Sequence, residues 1–430
     1  KGQDSIKVLI KGVMGSFYPS SDDKFIYVHS GTGVSKINTS TGKKESIPFS
    51  GEFEYKPAKE REYIFSHIWK QVDEKFYDPE IHGIDWEGYR ETYAKFLPHI
   101  DNNFDFQEML SEMLGELNGS HTGARYSYRS GYTMGTLGAF YDNDYEGDGL
   151  KIKEIIKGGA LYLQHPDVKA GDMITAINGE DIKAGEDWSH MLRGKGGKKI
   201  VITVKAKGKK EQELFIEPGF TDYRQLYNRW VEQRAQMVKE MSDGRVGYVH
   251  VEGMDSESFR RVYSDLLGKY RTCEAVIVDT RHNGGGWLHD DLATLLAGQA
   301  YIRFEPRGQY IGTEPYSKWT KPSCVLIGED NYSDASGFPY VYKTLGIGKL
   351  IGAPVPGTMT AVWWETQIDP SIVFGIPQVG SVGTKEGRYL ENMQVEPDIL
   401  IYNDPASVLR GEDKQLEAAV KEMLKTIDNK

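Results

Sequence analysis

The stretch Asn331-Tyr332-Ser333-Asp334-Ala335-Ser336-Gly337-Phe338-Pro339-Tyr340 follows directly on an apolar run, Ser323-Cys324-Val325-Leu326-Ile327-Gly328. A buried strand ending here, with a helix over residues 338–345, puts Ser333 on a tight strand-to-helix turn. A hydroxyl is exposed on such a turn and backbone N–H groups converge on it, which makes it a place for a nucleophile. The competing reading is an ordinary Ser/Asp helix cap. Ser336 is the rival nucleophile, but it falls inside the first helical turn. A second stretch, Asp279-Thr280-Arg281-His282-Asn283-Gly284-Gly285-Gly286, also follows a buried strand, so its glycines lie at a strand's carboxyl end, where open α/β sheets build sites. It has neither GxxxxGK[ST] nor G-x-G-x-x-G spacing and no following Lys, which argues against a phosphate loop. Three glycines also suit a backbone that approaches a substrate closely and aims an N–H at a developing alkoxide. A third stretch, Asn118-Gly119-Ser120-His121-Thr122-Gly123, holds a Ser-His pair just past a helix stop. A lone turn histidine is commonly a satisfied structural group, and His282 beside the glycine loop is a reserve base. No H-E-x-x-H or paired Cys/His spacing occurs, and His289-Asp290-Asp291 reads as a helix start, so no metal and no cofactor are expected.

The elements that must position these residues change in kind along the chain. Residues 6–53 alternate in short segments such as Lys24-Phe25-Ile26-Tyr27-Val28, the pattern of strands and turns. Four such strands amount to about one propeller blade, which cannot close a ring alone and reads as a remnant. From residue 59 to 117 the period becomes helical: Ile64, Ile68, Trp69 and Val72, then Trp86, Tyr89 and Tyr93, then Phe106, Met109, Leu110 and Met113. Three helices follow from it, with Asp105 as N-cap of the third. Residues 135–218 are short strands with one helical interruption at 159–165. From residue 223 helices and strands alternate, which implies a layered α/β domain on a buried sheet. Hairpin strands over 366–389 and an amphipathic helix over 414–426 close the chain. The expected organisation is therefore multidomain, α+β and α/β. It comprises a β-strand segment (1–55), a helical domain with the Ser-His pair (56–130), a domain of short strands (135–218) and an α/β domain with the candidate nucleophile (219–430).

At 430 residues the chain has room for about three domains. Its net charge of -11 argues against a nucleic-acid partner, which would favour a basic stripe. No apolar run is long enough to span a membrane. The two cysteines, Cys273 and Cys324, read as buried small apolar residues rather than a disulfide. The opening Lys1-Gly2-Gln3-Asp4 lacks an initiator Met and reads as processed or as cut from a longer chain. Compartment stays open between periplasm and cytoplasm.

Two resemblances follow from strings of residues. The run from Leu150 through "GDMITAING" at 171–179 resembles a PDZ domain, which implies capture of an extended peptide along a sheet edge. Gly147-Asp148-Gly149 stands where the carboxylate-binding loop would lie, and it departs from the usual pattern. More broadly, "GELNGSHTG" at 115–123, the PDZ strings, "DTRHNGGG" at 279–286, "NYSDASGFPY" at 331–340 and "ENMQVEPDI" at 391–399 occur in an order that resembles the tricorn-type serine peptidases, relatives of the carboxy-terminal-processing peptidases. The resemblance implies a tetrad. Ser333 would attack the scissile carbonyl, and His121 would take its proton. Glu391 would orient His121 through the Ser120 hydroxyl, and the N–H of Asp334 with that of Gly285 or Gly286 would form the oxyanion hole. The Asp334 side chain is left without a role. The expected substrate is a peptide or unfolded protein, and the resemblance leaves room for a homo-oligomer. Side-chain preference is sought between residues 286 and 322, including Arg303, Glu305 and Arg307. The alternative is a non-catalytic peptide-binding protein that uses the PDZ groove on a retained peptidase scaffold.

Overall fold

Five parallel strands, Val246–His250, Ala275–Asp279, Ser323–Ile327, Lys349–Gly352 and Ile399–Leu400, pair in that order and carry the two glycine- and serine-bearing turns at their carboxyl ends. Their near-continuous apolar character follows from burial on both faces. Val276, Val278, Val325 and Ile327 point to one face and pack on helices Ser256–Ser264, His289–Leu296 and Asp334–Thr344. The intervening Ala275, Ile277, Cys324 and Leu326 point to the other, against helices Tyr223–Met241 and Lys414–Asp428. This period of two is what a pleated strand between two layers requires. The structure is a computed structural model that describes residues 8–31, 33–128 and 132–429. The opening Lys1-Gly2-Gln3-Asp4 lies outside the described residues.

The chain divides into two units, residues 1–59 and 60–430. In the first, strands Ser16–Pro19, Phe25–Ser30, Gly33–Asn38 and Lys44–Ile47 form an antiparallel meander, with Val28 and Ile37 on its buried face. In the second, helices Pro57–Lys75, Trp86–Ala94 and Asn103–Gly115 match the three helical periods. The cap of the third is Asn102, not Asp105: the Asn102 Oδ1 accepts the N–H groups of Phe104 and Asp105, placing Asp105 in the first turn near the positive helix end. These helices do not close a core alone. Ile68, Phe106, Leu110, Met113 and Leu114 pack with Ile372, Phe374 and Ile376 of a three-stranded sheet, in which Ile372–Gly380 lies between Thr360–Thr366 and Gly123–Tyr126.

Residues 135–218 form a separate sheet in the order Gln212–Ile216, Ile200–Lys205, Met173–Ile177, Leu150–Ile155, Ala139–Tyr141, with the short helix Ala160–Gln164. Gly147-Asp148-Gly149 lies in the connection between Ala139–Tyr141 and Leu150–Ile155, and it does not act as an open anion loop. The Gly149 N–H donates to the Ile182 carbonyl, and Asp148 Oδ1 accepts the Ala184 N–H while its other oxygen meets Lys183. Of the two cysteines, Cys324 is buried and Cys273 is partly exposed, so the expectation of burial holds for one of them.

The helix after Ser333 begins at Asp334, four residues before the expected start. Gly337 and Pro339 disguised its first turns, because both are poor helix formers. The fold accommodates each by a specific contact. Pro339 has no N–H to give the Ala335 carbonyl, and the buried Asn331 supplies one instead, Nδ2 to Ala335 O at 3.1 Å. Gly337 leaves room for Met359, whose sulfur would lie 2.7 Å from a Cβ placed there.

Candidate active site

Ser333 occupies the corner between the Ser323–Ile327 strand's connection and the helix, at φ 55°, ψ -125°. A non-glycine residue seldom adopts positive φ, and such outliers gather at functional turns when surrounding bonds hold them. Here the Ser333 N–H donates to Thr358 Oγ1 at 2.8 Å, and the Ser333 carbonyl accepts the N–H groups of Ser336 and Gly337. Ser336 is fully buried. Its hydroxyl donates to the Pro356 carbonyl and accepts the Thr358 N–H, so it is spent on structure.

Glu391, Ser120 and His121 come together from opposite ends of the second unit. Glu391 is 7% exposed and accepts three hydrogen bonds: the Ser120 N–H on Oε1 at 2.5 Å, the Ser120 hydroxyl on Oε2 at 3.1 Å and the Met359 N–H on Oε2 at 2.7 Å. Burial raises its pKa above the usual carboxylate value, and these donated bonds oppose the shift. The Ser120 Oγ lies 2.9 Å from His121 Nδ1. Thr360 Oγ1, which sequence reasoning missed, stands 3.0 Å from His121 Nδ1 and 2.9 Å from Ser120 Oγ. Its only sequence signal was a hydroxyl at the head of a strand pattern, which is too common to single out. Burial pushes the His121 imidazole below its ordinary pKa.

The backbone explains how this loop is aimed. Asn118 and His121 both have positive φ, and the Asn392 Nδ2 donates to the Asn118 carbonyl at 2.8 Å. The His121 N–H donates to the Tyr332 hydroxyl at 2.7 Å, and the two rings lie 4.8 Å apart. Tyr332 thus ties the imidazole-bearing loop to the residue preceding Ser333. No hydrogen bond joins the Ser333 hydroxyl to His121 among the described residues. Nucleophile–base contacts are often long without substrate and tighten in its complex.

The glycine loop faces the same turn. A Cβ on Gly285, which has φ 101°, would lie 2.6 Å from the Ser333 Cβ and 3.2 Å from the Asp334 nitrogen, so only glycine fits. The Gly285 N–H is already donated to Asn283 Oδ1 at 2.8 Å. Among the described residues the N–H groups of Gly286 and Asp334 have no acceptor. The Asp334 side chain, expected to be idle, clamps the far end of the loop. Its Oδ2 accepts the N–H groups of Leu288 and His289, at 2.5 and 3.0 Å, and its Oδ1 pairs with His289 Nδ1. That pairing raises the His289 pKa.

The remaining histidines of the α/β layer are placed elsewhere. His250 is buried between Tyr227 Oη at 2.8 Å and the Arg281 carbonyl at 2.9 Å. His282 is exposed and paired with Asp330 at 2.6 Å. Arg303 and Glu305 pair with each other at 2.7 Å at the hairpin of Ile302–Phe304 with Gly312–Glu314. Among the described residues no cluster of His, Cys, Asp and Glu could hold a metal, and no helix is long and apolar enough to cross a membrane.

Three family models match this chain in series: Tricorn protease C1 domain over residues 57–115, Tricorn protease PDZ domain over 135–218, and Peptidase family S41 over 245–401. Similar proteins include the Putative Tricorn-like protease C-terminal subunit of Sulfurisphaera tokodaii, 28% identical across 91% of this chain and 46% of that protein. The Tricorn protease of Thermoplasma volcanium is 24% identical across 85% of this chain and 36% of its own length. The chain therefore spans less than half the length of these relatives. The crystal structure of the tricorn protease shares the fold, with a TM-score of 0.84 at 21% identity over 96% of this chain and 41% of that one.

Proposed function

We propose that this chain, a tricorn-type serine peptidase chain with C1, PDZ and S41 domains, hydrolyses peptide bonds through an acyl-enzyme on Ser333. The observation that carries this reading is the unbroken line of hydrogen bonds Glu391–Ser120–His121 ending beside the strained Ser333 turn. Ser120 donates its one proton to Glu391, so its oxygen must accept from His121 Nδ1–H. That selects the tautomer in which Nε2 is bare and ready to take a proton. Ser333 Oγ attacks the scissile carbonyl carbon as its proton passes to Nε2, and the peptide C–N bond breaks as that proton goes to the leaving amine. Water then repeats the sequence on the ester, releasing the acid. The Asp334 and Gly286 N–H groups, both without an acceptor among the described residues, receive the developing oxyanion, while Gly285 supports by close packing. Substrates are peptides or unfolded proteins, and neither a metal nor a cofactor takes part.

A fluorophosphonate should label Ser333, and Ser333→Ala should lower peptide hydrolysis by about a thousandfold or more with folding intact. Retained hydrolysis in Ser333→Ala together with an inactive Ser336→Ala would overturn the assignment. A wild-type chain that binds peptides but is never labelled would favour the non-catalytic, PDZ-groove alternative.

A further inference from the structure

Trp287 follows the glycine loop and is 74% exposed, an unusual state for the largest side chain in the set. The loop that carries it is fastened on both sides to the Ser333 turn. On one side the Gly285 backbone packs against the Ser333 Cβ. On the other the Leu288 N–H is bonded to Asp334 Oδ2, and the Trp287 Cα is separated from that nitrogen only by its own carbonyl carbon. Trp287's own N–H is held by the Met254 carbonyl at 2.7 Å, and its ring meets the edge of His289 at 5.6 Å, where His289 is itself pinned by Asp334. The indole is thus immobilised at its base, open on its face, and set one residue beyond the Gly286 N–H, which has no acceptor among the described residues. Two neighbouring carboxylates, Asp290 and Asp291, lie in the first turn of the following helix, where they complement its positive end.

We infer that Trp287 is a specificity-determining residue, whose exposed face receives a large apolar side chain of the peptide next to the scissile bond. The inference rests on the peptidase reading of Ser333. An indole presents a broad, rigid apolar surface at low conformational cost, and covering it with an aliphatic or aromatic substrate side chain removes both surfaces from water. Small or acidic side chains at the same position leave it exposed.

The test is a cleavage-site profile of the full chain on a mixed peptide library, run with wild type, Trp287→Ala and Trp287→Phe, alongside fluorophosphonate labelling of each. The expected wild-type profile is rich in Phe, Leu, Met or Tyr at one position flanking the cut. Trp287→Ala should lower the kcat/KM ratio of large apolar to small residues at that position by about tenfold or more, and Trp287→Phe should restore most of it. An equal fall across all peptides, an unchanged profile, or a wild-type preference for Lys or Arg that Trp287→Ala erases would overturn the inference while Ser333 labelling stands. A wild-type chain that is neither labelled nor cleaves any peptide overturns the peptidase reading itself, and this inference with it.

Discussion

His121 combines a strained backbone with burial that leaves the residue 9% exposed, and both follow from its place between Ser120, Thr360 and Tyr332. On the proposed mechanism, only the neutral ring can accept the Ser333 proton. Burial disfavours the imidazolium, so the folded-state pKa lies below the ordinary 6.5. Activity and stability then share a sign. In the unfolded chain the ring takes up its proton first as the pH falls, so the stability linked to His121 is complete above pH 6.5 and lost below it. The acid limb of kcat/KM, which reports the free enzyme, should have its midpoint below pH 6.5. A midpoint above that value in a pH–rate profile would discard His121 as the base. At this scale residue type and neighbouring glycines singled out the Ser120-His121 pair and Ser333, whereas Glu391, with no glycine beside it, came only from the family resemblance. Thr360 and the clamp made by the Asp334 side chain were not, because single hydroxyls and carboxylates carry no signal until their partners are known.

The helix Asp334–Thr344 shows how an element can hide from its own propensities. It contains Gly337 and Pro339, yet it runs without interruption because Asn331 replaces the hydrogen bond that Pro339 cannot make. Asn331 is wholly buried and also donates to Thr280 Oγ1 at 2.9 Å while accepting the Gly328 N–H at 3.1 Å. One side chain therefore joins two strand ends to the first helical turn. Asn331→Ala takes its hydrogen bonds from the buried Gly328 N–H and Ala335 carbonyl, while Thr280 Oγ1 keeps the Leu326 carbonyl, and should cost about 2 kcal/mol, seen as a lower denaturant midpoint. A loss below about 0.5 kcal/mol would show that water or a relaxed helix takes its place. The strand before this turn and the helix after it were readable from period and burial. The boundary between them was not, since it depends on a side chain three residues upstream reaching over a proline.

The second unit is held together across long stretches of chain. Strand Gly123–Tyr126, which follows His121, pairs with Ile372–Gly380, so the Ser-His loop is built into a sheet contributed largely by the far end of the sequence. Gly375 lies opposite Gly123 in this pairing. A Cβ at Gly375 would fall 2.3 Å from the His121 carbonyl oxygen and 2.9 Å from the Trp364 ring. Gly375→Ala should therefore push His121 away from Ser333. We expect it to destabilise the fold by about 1–3 kcal/mol and to lower kcat/KM at least about tenfold, with Ser333 itself untouched. Thermal unfolding and steady-state kinetics on this variant measure both, and an unaltered kcat/KM would separate the sheet from the positioning of the base.

Local pattern determined what kinds of structure this chain forms. Alternating polarity wrote the first meander, helical periods wrote the three helices of residues 57–115, and apolar runs ending in glycine or serine wrote the buried parallel strands with their exposed turns. These properties depend on neighbours a few residues apart, so a sequence displays them directly. Tertiary structure alone decided that Thr360 joins Ser120 and that Asp334 closes the loop holding Trp287, and it makes the contact of Glu391 with Ser120 across 271 residues, which only the resemblance had implied. Those contacts depend on where whole layers come to rest, and distance along the chain carries no trace of it.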